Sequence, residues 1–261
     1  MKLKEKRTQN LYDTLLHSGH IEEQFENIIN ECKRNGIKYK DPDFYPQKII
    51  NSEDEKKLKD HEWRRLEDQY PISLFENINP ESIIQGELGD CYFLSALSRL
   101  ARQPDLVQSL FDDQANLVLG EEKDSINIKC GAVVIYFHAY GRETPVLIDT
   151  LIPFKRGTRI PRFSHPTDLN VSPWFCLVEK AYAKLNGSYT SIDGGTLPGA
   201  IYSLFGYFPD IKWAQELKDP RKVRKMSPFD RLMKYQHQGS VMGAAIHTQY
   251  MSKSITEEDL L

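Results

Sequence analysis

The ten residues Gln85-Gly-Glu-Leu-Gly-Asp-Cys-Tyr-Phe-Leu94 constrain this chain more than any others, because they place a cysteine at the start of a helix. Gly86 and Gly89 punctuate a tight turn, Asp90 is a good N-cap residue, and an apolar helical run begins at once. A thiol in the first turn of a helix sits among unpaired backbone N–H groups at the positive end of the helix dipole. Both effects favour the thiolate, the nucleophilic form of cysteine. Gln85 can bring its side-chain amide beside the Cys91 N–H and complete a pair of donors for an oxyanion. The same amide can equally serve only to hold the turn together, and a buried, inert cysteine is the bland alternative for Cys91.

Composition sets the frame for that motif. With 261 residues, 40% hydrophobic and 27% charged, the chain suits a soluble globular protein with one large or two small domains. A net charge of −3 argues against nucleic acid as an obligate partner. No apolar run follows the mixed-charge start Met1-Lys-Leu-Lys-Glu-Lys-Arg7, and none reaches the length of a transmembrane helix. Cys32, Cys91, Cys130 and Cys176 are widely spaced without a Cys-x-x-Cys pair. That pattern points to a reducing compartment and a cytoplasmic location rather than to a disulfide framework or zinc knuckle.

Along the chain, residues 21–34 read as an amphipathic helix closed by Gly36, with Cys32 on its apolar stripe. Residues 51–70 are strongly charged and expected at the surface, anchored by Trp63. The helix that starts at Cys91 is expected to run to about Arg102 and to be closed by Pro104. Strands are expected over 133–140 and 146–149, joined by Gly141-Arg-Glu-Thr-Pro145. A second helix begins at Trp174 and stops at Asn186-Gly187. Asp193-Gly194-Gly195 is expected as a flexible loop, Ser227-Pro228 as the start of a helix reaching Gly239, and 241–247 as a buried strand. Lys218 to Lys225 reads as a solvated basic linker, and Thr256 to Leu261 as the first turn of another helix.

Several blocks in order resemble the calpain-type cysteine proteases. They are Gly36 to Pro46, Trp63-Arg-Arg65, Gln85 to Leu94 with Tyr92 where tryptophan is usual, and Leu177-Val-Glu-Lys-Ala-Tyr-Ala-Lys-Leu-Asn-Gly-Ser-Tyr189 preceded by Trp174. Gly194-Gly-Thr196 and Gly239-Ser-Val-Met-Gly243 complete the series. The resemblance runs from about residue 31 to the end, leaving 1–30 as an N-terminal extension. It implies an α+β, papain-like fold in two subdomains: 31–194 carrying the nucleophile Cys91 with Gln85, and a partial second subdomain over 195–261. It further implies that Gly194 and Gly195 approach the substrate backbone, although such a pair is often only a loop. Protein substrates are the implied partners.

The family's histidine and asparagine would follow the Gly239 block, and neither of their motifs is present before Leu261. His138, His165, His237 and His247 are not obvious substitutes for the base. The resemblance also implies calcium, with Glu179 matching a carboxylate ligand, whereas Ser82 stands where the family has a second carboxylate. An ordinary exposed position on its helix is the alternative for Glu179. The leading expectation is thus a calpain-like intracellular cysteine endopeptidase whose 261 residues alone turn over poorly. The rival is a non-catalytic calpain-like protein that binds a partner.

Overall fold

A computed structural model describes residues 21–44, 60–70, 74–111, 130–139, 141–206, 227–240 and 242. Its centre is an antiparallel hairpin of β3 (Ala132–Ala139) and β4 (Arg142–Asp149), paired in register from Ala132 opposite Asp149 to Ala139 opposite Arg142. Successive side chains on a strand point to opposite faces. Both faces of β3 are apolar, so both can be covered. Val133, Ile135 and Phe137 enter the main core, while Ala132, Val134 and Tyr136 meet α1 (Ile21–Asn35) through Phe25, Ile29 and Cys32. Gly36, at φ +63°, ends α1.

The hairpin begins earlier than expected. Residues 142–145 belong to β4, and Pro145 is accommodated opposite Tyr136 because β4 has no second neighbouring strand among the described residues. The charged stretch expected to lie at the surface contains β1 (His61–Arg65), which pairs with β5 (Leu151–Lys155), followed by the short helix α2 (Leu66–Gln69). Arg65 is buried there, donating to the Gly131 carbonyl at 3.1 Å and the Thr150 hydroxyl at 3.2 Å. Trp63 is half-buried against the core. A two-residue pair, β2 (Ile83–Ile84) with β6 (His165–Pro166), lies near the site described below.

The helix from Cys91, α3, ends at Leu100. Pro104 does not merely close it; it occupies the first turn of a further helix, α4 (Pro104–Ser109), where its missing N–H has no consequence. Helix α5 (Trp174–Asn186) is sunk into the core on almost every face and ends at Gly187 with φ +101°. Its ring contact with α3 is a stacked pair, Phe93 on Tyr182 at 4.0 Å. Helix α6 (Leu197–Phe205), to which the sequence reading assigned no element, packs on α3 and β3.

By contacts the chain divides into Met1–Pro209 and Asp210–Leu261. The expected subdomain start at Gly195 therefore falls inside the first unit, because α6 adheres to β3. In the second unit α7 (Pro228–His237) starts as expected: the Ser227 hydroxyl accepts the Asp230 N–H at 3.0 Å. Met242 is exposed, and the rest of the strand expected over 241–247, like the Lys218 cluster and the C-terminal turn, lies outside the described residues.

Candidate active site

The turn before α3 is built against a neighbouring extended segment. The Glu87 N–H donates to the Arg162 carbonyl at 3.2 Å. A Cβ on Gly86 would lie 2.0 Å from the Phe163 carbonyl oxygen, so glycine is required for this approach. That segment is held in turn from below. The Ser164 N–H and hydroxyl donate to the Glu179 carboxyl at 3.0 Å and 2.8 Å, and the Cys176 thiol donates to the Ser164 carbonyl at 3.1 Å. Glu179, at 2% exposure, is neither a surface residue nor free in its oxygens.

Cys91 emerges from this support as the first residue of α3. It is exposed, whereas Cys32, Cys130 and Cys176 are buried, and all four thiols are free. The backbone carbonyl of Asp90 takes the Phe93 and Leu94 N–H groups at 2.8 Å and 3.1 Å, leaving the Cys91 N–H unspent among the described residues. Gln85 Nε2 donates to the Leu88 carbonyl at 2.6 Å, which is the turn-holding role. An amide nitrogen carries two N–H groups, so one remains for a ligand.

Asp90 corrects the sequence reading. It stands at the N-cap position, but its carboxyl caps nothing. It is fully buried, neither oxygen meets a hydrogen-bond donor, and it is turned toward the Glu179 carboxyl. Burial, with the Asp193 charge adding to it, pushes Asp90 up to about 6. Burial and then the Asp90 charge push Glu179 well above the carboxylate range. Two carboxyls facing each other in a dry site each make ionisation of the other harder.

Gly194 and Gly195 are exposed and join the same turn. The Gly194 N–H donates to the Gly89 carbonyl at 2.9 Å, and the Gly89 N–H donates to Asp193 at 2.9 Å. The ring of Tyr92 lies beneath Gly195, and its hydroxyl donates to the Ile192 carbonyl at 3.2 Å. Cys91, Gln85, Gly194 and Gly195 are thus brought together, while Glu179 sits behind them. Asp193, Ser164 and the inward turn of Asp90 were missed. The only available signal was a carboxylate placed directly before a glycine pair.

Within the first unit no described histidine hydrogen-bonds Cys91: His138 is half-buried on β3 and His165 contacts the Pro166 carbonyl. His237 belongs to the second unit, where it contacts the Met233 carbonyl at the end of α7. His247 lies outside the described residues. The carboxylate proposed for calcium fares poorly as a ligand. Calcium takes six to eight open oxygens. Glu179 is instead buried and accepts from the Ser164 N–H and hydroxyl, and the Ser82 hydroxyl donates to the Asn79 carbonyl at 2.6 Å. Among the described residues no three acidic, histidine or cysteine side chains gather as a metal cage. These residues do not fit the ion, and no step below runs through it.

Comparison with known proteins bears on the same residues. The model of the calpain family cysteine proteases matches residues 39–261. The chain is 30% identical to Calpain-B of Drosophila melanogaster over 224 residues, 85% of this chain and 22% of that protein. It is 30% identical to a calpain of Schistosoma mansoni over 236 residues, 89% of this chain and 29% of that one. Against the calpain-type cysteine protease DEK1 of Arabidopsis thaliana identity is 32% over 180 residues, 68% of this chain and 8% of that protein. The chain therefore spans less than a third of the length of these relatives.

Proposed function

The chain belongs to the calpain family of cysteine proteases, and from that premise we propose that Cys91 is the nucleophile of a cysteine endopeptidase acting on intracellular proteins. The observation that carries the reading is the exposed Cys91 at the start of α3, inside one hydrogen-bonded turn with Gln85 and Gly194. In this reading the Cys91 thiolate attacks a peptide carbonyl. The Cys91 N–H and the second N–H of Gln85 receive the oxyanion, the amine leaves, and water releases the acyl-enzyme. A base must take the thiol proton and return it to the leaving amine. The histidine and asparagine motifs that the family resemblance calls for do not occur in these 261 residues, so the 261 residues alone are expected to turn over poorly.

Calcium has no assigned site in this reading, for the reasons given by Glu179 and Ser82. Free, unpaired thiols agree with a reducing, cytoplasmic setting. Among the described residues no helix is long and apolar enough to cross a membrane. The test is site-resolved alkylation with iodoacetamide. Modification at Cys91 ahead of the other three cysteines is expected, and equal or slower modification at Cys91 overturns the reading.

The second reading is a non-catalytic protein that binds a partner through the same exposed turn. Ser82, standing where the family resemblance implies a carboxylate, favours it. Turnover of a peptide amide by the full-length protein, lost in Cys91→Ala, would eliminate it.

A further inference from the structure

We propose that Asp193 is a positioning residue: by clasping the turn that precedes Cys91, it fixes where the Gly194–Gly195 backbone, which the family resemblance places against the substrate, stands relative to the thiol. The inference rests on the reading of Cys91 as nucleophile and refines it.

Asp193 is exposed, and an exposed carboxylate ordinarily remains in water. Here it accepts the Gly89 N–H at 2.9 Å, while the Gly89 carbonyl accepts the Gly194 N–H at 2.9 Å. The two bonds close a ring between Gly89 and the 193–194 peptide. A Cβ at position 89 would fall 2.4 Å from the Asp193 oxygen, so the clasp requires glycine there. Gly194 takes φ +83°, which only glycine adopts freely.

A second fastening lies one step further along both segments. The Tyr92 hydroxyl holds the Ile192 carbonyl at 3.2 Å, and a Cβ on Gly195 would lie 2.3 Å from the Tyr92 ring. The loop is therefore tied to both sides of Cys91, to Gly89 before it and to Tyr92 after it. The Gly195 N–H and the Gly194 and Gly195 carbonyls make no bond among the described residues. Both residues are exposed. Unspent backbone groups in this loop are free to take a main-chain hydrogen bond from a bound peptide. Asp193 fixes where the loop stands relative to the thiol. A misplacement of the order of 1 Å at a reacting centre has large kinetic consequences.

The test compares two reagents with one warhead, iodoacetamide and an iodoacetylated dipeptide amide, by their rates at Cys91 in the full chain. The ratio of the rates reports peptide recognition, because any change in the thiol itself cancels. In the wild type the dipeptide reagent is expected to react faster. Asp193→Ala should lower the ratio roughly tenfold, the factor for one hydrogen bond to a charged group. Asp193→Asn, whose Oδ1 still accepts the Gly89 N–H, should keep the ratio within about threefold of wild type on the same scale.

Because truncation at 193 can disturb folding, Tyr92→Phe is the second variant. It keeps the ring under Gly195, removes the hydroxyl that holds the Ile192 carbonyl, and should lower the ratio by a smaller factor. An unchanged ratio in Asp193→Ala and Tyr92→Phe, or an equal fall in both rates, overturns the proposal. A wild-type ratio of one also overturns it. A wild-type Cys91 no faster than the buried thiols with either reagent instead strikes the nucleophile reading itself.

Discussion

Asp90 and Glu179, one fully buried and the other nearly so, lie together under the first turn of α3. Burial raises Asp90 from an ordinary 3.8 to about 6, so the folded protein holds its proton more tightly than the unfolded chain does. The stability this group contributes is complete below about pH 4 and is lost as pH rises through about 6. The shift corresponds to something on the order of 3 kcal/mol. Asp90→Asn should therefore flatten that part of the pH–stability curve and raise the melting temperature at pH 7, as read by calorimetry. A curve as steep as wild type between pH 4 and 6 would contradict the assignment. Glu179→Ala leaves the Ser164 N–H and hydroxyl without their acceptor, and should lower stability by about 2–4 kcal/mol in a denaturant titration. Glu179→Gln, which still accepts from Ser164, should lose much less. At this scale the sequence was partly legible. Gly86, Gly89 and Cys91 announced the turn because its chemistry is local. The inward turn of Asp90 was not legible, because its partner Glu179 comes from a different helix and nothing in the local pattern distinguishes a capping aspartate from a buried one.

The elements that carry the site owe their placement to close backbone approaches. Gly86 rests on the Arg162–Phe163 backbone at a distance no side chain tolerates. Gly86→Ala should push the turn off that segment, destabilise the protein by about 2 kcal/mol or more, and slow alkylation of Cys91. Stability equal to wild type would show that the turn can shift freely. The long periodic helices, α1, α5 and α7, were readable from apolar spacing and from Gly36, Gly187 and Ser227. The errors came where a local signal was overridden. Pro104 read as a stop but serves as a helix start. Pro145 read as loop but lies in β4, which lacks a second neighbour in the sheet among the described residues. The charges of 61–65 concealed a strand, because Arg65 finds carbonyl and hydroxyl acceptors in the interior. Helix α6 escaped because the preceding Asp-Gly-Gly sequence masked a proper start, in which the Thr196 hydroxyl accepts the Gly199 N–H at 3.3 Å.

Across the first unit, one hairpin supports two cores. The face of β3 and β4 toward α5 and α6 lies within the family match at 39–261, whereas α1 lies before it and covers the opposite face with Phe25 and Ile29. Phe25→Ala should cost about 3–5 kcal/mol. It should also make Cys32, on α1 itself, and Cys130, in the same buried cluster, open to alkylation without changing the rate at Cys91. Equal protection of those two thiols in the variant would show that the seating of α1 is not what protects them. The buried network around α5 then fixes the hairpin to the site. Lys180 donates to the Leu151 carbonyl at 2.8 Å and pairs with Asp149, while Lys184 pairs with Asp41 at 2.6 Å. The neighbouring Glu179 reaches the other way, to Ser164, so a single helix ties the sheet to the turn that presents Cys91. The central claim is that this turn presents a nucleophile for proteolysis. The most direct measurement is cleavage of denatured casein by the full-length protein beside its Cys91→Ala variant. Cleavage by the wild type that is abolished by Cys91→Ala is the predicted result, and cleavage that survives the substitution would contradict it.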